Sequence, residues 1–214
     1  FLIFTPHFMK AIIYKSTGSW YEVKTEDGKW HNARTVGKLR LEDNFSTNPI
    51  AVGDIVDIHI ENEEEITINN IHKRTNYVVR QSPRKKHQVH LIAANVDQAL
   101  LIITIREPNL KVGFIDRFLM MTEPYKIPVI IAFNKSDIYL KEDLEVFEFY
   151  KDVYEKIGYT VILTSSANNY GIDNLRLLLK DKVTLISGQS GVGKSSLVNA
   201  IQPGLKLRTT ELSD

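Results

Sequence analysis

Gly188-Gln189-Ser190-Gly191-Val192-Gly193-Lys194-Ser195, continued by Ser196, is a complete phosphate-binding loop, and Asn134-Lys135-Ser136-Asp137 stands upstream of it. The second stretch has the form of a guanine-reading tetrapeptide. In an ordinary guanine-nucleotide-binding domain the phosphate loop opens the domain and the base reader comes much later. Here the order is reversed, so the sequence announces both a nucleotide and a rearranged connectivity.

Each motif has a physical reason. A loop that wraps an anion needs residues whose backbone N–H groups can all turn inward, and Gly188, Gly191 and Gly193 supply that freedom. Gln189, Ser190 and Val192 fill the turns between them. Lys194 offers a point charge to the β/γ-phosphates, and the Ser195 hydroxyl suits Mg²⁺. An apolar run at 183–186 precedes the loop and a helical pattern runs on to about Ile201, which aims a helix N-terminus at the phosphates. Asn134 follows a buried apolar run at 129–133. The Asp137 carboxylate can accept from guanine's ring N–H and exocyclic amine, a pair of donors that adenine lacks. The Asn134 amide suits the carbonyl side of the base, and the Lys135 stem can lie over its plane. Thr164-Ser165-Ser166-Ala167 follows another apolar run, and its small residues, Ser166 and Ala167 above all, let backbone approach the guanine oxygen.

Outward from these loops, residues 99–105, 129–133, 160–163 and 183–186 read as buried strands. Helical spacings lie between them (Phe114, Ile115, Phe118, Leu119; Leu144, Phe147, Tyr154; 175–179). Alternating strands and helices predict a mostly parallel sheet with helices on both faces. Residues 10–75 read as all-β, with about five short strands and an Asp27-Gly28 hairpin signal. A small closed barrel of the OB type is expected, with an SH3-like barrel as the alternative. The predicted organisation is an upstream extension at 1–8, a barrel at 9–76, a basic linker at 77–94 and the nucleotide domain at 95–214. The fold class is therefore α/β plus all-β.

The 214 residues, 43% hydrophobic and 25% charged, are ordinary globular composition. The absence of Cys excludes disulfides and thiolate metal sites within the chain. A net charge of +1 puts any nucleic-acid affinity in local patches. No apolar run approaches the roughly 20 residues that span a bilayer, and the apolar start at Phe1 lacks the basic leader of a signal peptide, so no membrane partner is expected.

Further short matches accompany the permuted order: Gly37-Lys38-Leu39-Arg40, Val52-Gly53-Asp54, Arg74-x-Asn76, Ala94-Asn95-Val96-Asp97-Gln98 and Ile115-Asp116-Arg117. With the barrel ahead of them, they make the chain, from about Met9 to Asp214, resemble the ribosome small-subunit-dependent GTPase A family. The resemblance implies a cytoplasmic, monomeric enzyme that binds GTP or GDP with Mg²⁺, acts late in maturation of the 30S subunit and contacts rRNA. It carries nucleotide binding onto Asn134, Lys135, Asp137 and residues 188–196, with Lys194 and Ser195 the best candidates for catalysis. It also implies a switch segment, an Asp-x-x-Gly and a C-terminal Zn²⁺ domain, none of which stands before Asp214. The chain is accordingly expected to continue, to bind GDP and to hydrolyse GTP poorly by itself.

Trp20, Tyr21 and Trp30 are candidate stacking platforms for RNA, against the plainer reading as core. Lys38, Arg40, Arg84, Lys85 and Lys86 are candidate phosphate contacts, against the plainer reading as solvated loop. Two rival functions stay open at this level: an RNA-binding module with a structural nucleotide, and an ATP-dependent phosphate-loop enzyme.

Overall fold

The first unit follows from alternation. Along β1 (His7–Ser16), β2 (Trp20–Thr25), β3 (Trp30–Thr35), β4 (Ile55–Ile60) and β5 (Ile66–Ile71), every second side chain turns inward. Ala11, Ile13, Tyr21, Val23, Ala33, Val56, Ile58, Ile66 and Ile68 meet as one buried cluster. The strands close in the order β1-β2-β3-β5-β4, antiparallel except for the β3–β5 pair. This computed structural model describes residues 7–35, 49–62, 65–81, 89–205 and 207. Lys38, Arg40, Arg84, Lys85 and Lys86, and with them the match at 37–40, lie outside the described residues.

Three readings shift. β1 starts inside the expected extension, with His7 paired to Ile60 and Phe8 to His59. The stretch read as a linker carries a hairpin, β6 (Tyr77–Gln81) against β7 (Val89–Ala94); its basic, Pro-broken centre hid two short strands. Tyr21 is a core residue at 2% exposure, whereas Trp20 and Trp30 are exposed. The hairpin's return strand is fixed to the barrel by backbone. Val52 bridges Ala93, and the Ala94 N–H donates to the Val52 carbonyl at 2.9 Å. Gly53 is required here. Its φ is +91°, and a Cβ would meet the Ala94 carbonyl oxygen at 2.0 Å. Asn76 and Val96 exchange two bonds (2.7 and 2.9 Å), and the Asn95 amide donates to the Gly53 carbonyl (2.9 Å).

Under the barrel, the fully buried Asp54 carboxylate takes both arms of Arg74, at 2.7 and 2.8 Å. It also accepts the Ala51 N–H at 2.8 Å, while Arg74 reaches the Pro49 carbonyl at 2.7 Å. A bidentate guanidinium is what lets a carboxylate stay buried.

The second unit begins at Asp97. β8 (Gln98–Ile103), β9 (Val129–Phe133), β10 (Thr160–Leu163) and β11 (Thr184–Gly188) form a parallel sheet in the order β10-β9-β8-β11. β8 and β9 are buried throughout, as continuous apolar runs demand. Among the described residues β11 pairs with β8 alone and forms an edge of the sheet. The crossovers α1 (Val112–Thr122) and α2 (Lys141–Lys156) step the same way along the sheet and share one face. The Tyr154 hydroxyl on α2 bonds Asp116 on α1 at 3.1 Å, and Phe147 packs edge-on against Phe133 at 5.3 Å. α3 (Ile172–Leu179) and α4 (Lys194–Ile201) cover the other face through Ile172, Leu175, Val192 and Leu197 against Leu100, Ile102, Ile130 and Ala132. Leu144 of α2, expected on the buried stripe, is 41% exposed.

Arg74→Ala is expected to destabilise the barrel by about 3–5 kcal/mol, because it strands a buried carboxylate. Denaturant unfolding followed by tryptophan fluorescence reads this, both tryptophans lying in the barrel strands; an unchanged midpoint would refute it.

Candidate functional site

In an open α/β sheet ligands sit beyond the carboxyl ends of the strands. Here three of those ends carry the sequence motifs: Asn134 after β9, Thr164 after the adjacent β10, and the glycine loop after β11 on the far side of β8. Asn134 is fully buried and joins them. Its side-chain N–H donates to the Val192 carbonyl at 2.9 Å, and its side-chain oxygen accepts from the Thr164 hydroxyl at 3.3 Å. Its backbone N–H donates to the Ile103 carbonyl at 2.8 Å. The base-reading loop and the phosphate loop, 58 residues apart in sequence, thus share a hydrogen bond.

Glycine at 193 is what permits the approach. Its φ is +87°, and an added Cβ would stand 2.7 Å from the Asn134 amide nitrogen. Val192 is buried in the α3/α4 core and anchors the loop from below. Gly188, Gln189, Ser190 and Gly191 lead the chain off β11, and Lys194, Ser195 and Ser196 form the first turn of α4. The Lys194 ammonium curls back onto the Gly188 and Gln189 carbonyls, at 3.0 and 2.6 Å. Burial pushes its pKa below the ordinary lysine value.

On the base side Lys135 holds a left-handed backbone, φ +65°, and its ammonium donates to the Glu107 carbonyl at 2.6 Å. Asp137 is exposed, and its carboxylate accepts the hydroxyl of the fully buried Ser165. The Ser165 oxygen in turn accepts the N–H groups of Ala167 (3.2 Å) and Asn168 (3.4 Å). Ser165, and not the neighbouring Ser166, therefore ties the third loop to Asp137; Ser166 and Ala167 lie further toward the surface.

Thr164, read from the sequence only as the start of a small-residue loop, sets the Asn134 amide as above, and one further residue escaped the sequence reading. The Tyr139 hydroxyl donates to the Asn134 carbonyl at 2.7 Å and accepts the Ile105 N–H at 2.9 Å. Burial raises that phenol's pKa to about 12, so it stays protonated and able to donate. A tyrosine two residues past the tetrapeptide is a recognisable signal only once the loop is known to fold back. Behind it Arg106 pairs with Asp143 at 2.9 Å, and Asp143 accepts the Leu140 N–H at 2.8 Å at the start of α2. Among the described residues no group of three or more His, Asp or Glu is placed to hold a metal, and no helix is long and apolar enough to cross a membrane.

Fold and site together define a phosphate-loop nucleotide domain of permuted order behind a five-stranded barrel. Comparison with known proteins narrows the class. The sequence model of the RsgA GTPase matches residues 71–214, and that of the RsgA N-terminal domain matches 10–68. The chain belongs to the RsgA GTPase family. A small ribosomal subunit biogenesis GTPase RsgA from Cytophaga hutchinsonii is 51% identical over 193 residues, covering 89% of this chain and 63% of that protein. One from Flavobacterium psychrophilum is 46% identical over 209 residues, covering 96% and 64%. The chain thus spans just under two thirds of these relatives. The crystal structure of YjeQ from Thermotoga maritima superposes with a TM-score of 0.76 at 32% identity, over 95% of this chain and 68% of that one. YloQ, described as a circularly permuted GTPase, gives 0.68 at 34% identity, over 92% and 65%.

Tyr139→Phe leaves the Ile105 N–H and the Asn134 carbonyl without their shared partner. The expected cost is about 1–3 kcal/mol of stability in the nucleotide domain, read as a lower unfolding midpoint; a midpoint equal to wild type would refute the bridging role.

Proposed function

We propose that the chain is the barrel and nucleotide-binding portion of a GTPase that acts in maturation of the small ribosomal subunit, in the cytoplasm, with the barrel contacting rRNA. The observation that carries the nucleotide assignment is the Asn134 amide on the Val192 carbonyl. In this reading that bond holds the base reader against the phosphate loop of one binding site. The ribosomal part rests on the relatives, which are named small ribosomal subunit biogenesis GTPases.

In this reading guanine enters between the loops after β9 and β10. Asp137 turns its carboxylate from the Ser165 hydroxyl alone to guanine's two donors, and the Lys135 stem covers the base. Ser166 and Ala167 bring backbone to the guanine oxygen. Residues 188–196 surround the β-phosphate, and Lys194 trades two carbonyl contacts for phosphate oxygens. Ser195, in the first turn of α4 beside the glycine loop, offers a hard hydroxyl oxygen of the kind Mg²⁺ takes. Bound there, Mg²⁺ would neutralise charge on the phosphate oxygens. Hydrolysis is in-line attack by water on the γ-phosphate, driven by positioning and electrostatics rather than by a covalent intermediate. Lys194 stabilises the developing charge.

Asp137→Asn converts an acceptor into a donor where guanine presents donors. GDP affinity is expected to fall by about two orders of magnitude or more, with xanthosine diphosphate, which carries an oxygen at that position, binding better than GDP. Calorimetric competition measures both. ATP competing as well as GTP against the wild-type chain would overturn the assignment. For the ribosomal part, GTP turnover by the full-length protein is expected to rise on adding purified 30S subunits, and turnover indifferent to them would remove it.

A further inference from the structure

Three consecutive residues just past β8 each bond the base-reading loop or the helix that follows it. The Ile105 N–H donates to the Tyr139 hydroxyl at 2.9 Å, the Arg106 Nε donates to the Asp143 carboxylate at 2.9 Å, and the Glu107 carbonyl accepts the Lys135 ammonium at 2.6 Å. The segment is itself held closed: the Thr104 hydroxyl donates to the Pro108 carbonyl at 2.6 Å and the Leu110 N–H to the Ile105 carbonyl at 3.1 Å. Glu107 and Lys135, the two ends of one of these bonds, both have left-handed backbone, with φ of +53° and +65°. Residues with side chains rarely take that conformation, and they keep it where the surroundings fix it.

Asp143 joins the parts. The oxygen that takes the Arg106 Nε also accepts the Leu140 N–H at 2.8 Å, so one carboxylate ties the end of the base-reading loop to the segment after β8. Its side chain is 13% exposed, that of Arg106 41%. The Leu140 N–H, and after it the Arg106 guanidinium, hold the Asp143 carboxyl below the usual carboxylate range, so the pair is ionised at neutral pH. Glu107 and Glu142 also lie near Arg106, but among the described residues Asp143 alone brings a carboxylate within 4 Å of it.

An ion pair open to solvent on one side adds little to stability; its effect here is geometric. The inner end of loop 134–140 is fixed by Asn134 on Val192 and Thr164, and its middle by the Ser136 N–H on the Thr164 carbonyl at 3.1 Å. The Lys135 ammonium, Tyr139 and Leu140 are fixed by residues 105–107 and Asp143. Asp137 stands between these anchors. A recognition group keeps its geometry only where the residues supporting it are themselves locked, and a loop already in its bound conformation loses less freedom on binding.

We propose that Arg106 and Asp143 are positioning residues for guanine, acting through loop 134–140 and without touching the nucleotide, to hold the Asp137 carboxylate and the Lys135 stem at the base. This rests on the reading of residues 134–137 as the base reader and adds what sets its precision.

The test compares GDP with inosine diphosphate, IDP, by calorimetry on the full-length protein. Inosine lacks the exocyclic amine, so the GDP:IDP affinity ratio isolates the amine's bond to Asp137, worth about 10- to 100-fold. Arg106→Gln should weaken GDP binding by about 2- to 30-fold and shrink the ratio. Asp143→Asn, which removes the charge and leaves an oxygen for the Leu140 N–H, should do the same. The double variant should lose no more than the weaker-binding single variant, because either change already breaks the pair. A pair that served stability alone would lower GDP and IDP affinity together, in step with the thermal transition. A wild-type ratio in both variants, losses that add, or a loss in Arg106→Gln alone, which would put the guanidinium on the nucleotide itself, would each overturn the proposal. If the unaltered protein binds ATP as tightly as GTP, the base-reading assignment fails and this role with it. If it prefers guanine and the variants keep its ratio, only the positioning role fails.

Discussion

The nucleotide unit depends on one buried amide. Asn134 has no exposure, and its polar groups are met by Val192 of the phosphate loop, Thr164 after β10, Ile103 at the end of β8 and Tyr139 of its own loop. An unpaired polar group at such a position costs about 1–3 kcal/mol, so the three loops hold one another in register through it. The glycine at 193 is the other half of this constraint, since any side chain there would occupy the space of the amide nitrogen. The permuted order of the motifs is then no obstacle. The bond depends on which strands are neighbours in the sheet, and β9 and β11 flank β8 whichever of them comes first along the chain.

The same economy runs through the first unit. Asp54 is a buried charge satisfied by one arginine and one backbone N–H. Asn76, Asn95 and Gly53 fix the segment leaving the barrel to the strand returning toward the nucleotide domain. Short polar matches such as Val52-Gly53-Asp54 and Arg74-x-Asn76 supply these bonds. They are contacts that a small barrel needs to hold its loops.

Much of this was legible in the residues. Continuous apolar runs gave the parallel strands, because a strand buried on both faces cannot alternate. Alternation gave most of the barrel strands. Long-range packing decided what the sequence left open or misread: Tyr21 took the plainer of its two readings, as core, while Leu144 lies off the buried stripe, a hairpin stands in place of a linker, and β1 starts at His7. Only the partner strand or helix fixes them.

Composition and spacing alone determined that two motifs for opposite ends of a purine nucleotide exist and that they stand in permuted order, because glycine freedom, a carboxylate and a lysine are properties of residue type. Tertiary structure alone decided that Asn134 bonds Val192, that Ser165 rather than Ser166 meets Asp137, and that Tyr139 ties Asn134 to Ile105. Apart from the Tyr139–Asn134 bond, five residues apart, those bonds join groups 28 to 58 residues apart along the chain. Their existence follows from the order of strands in the sheet, which no local pattern of residues encodes.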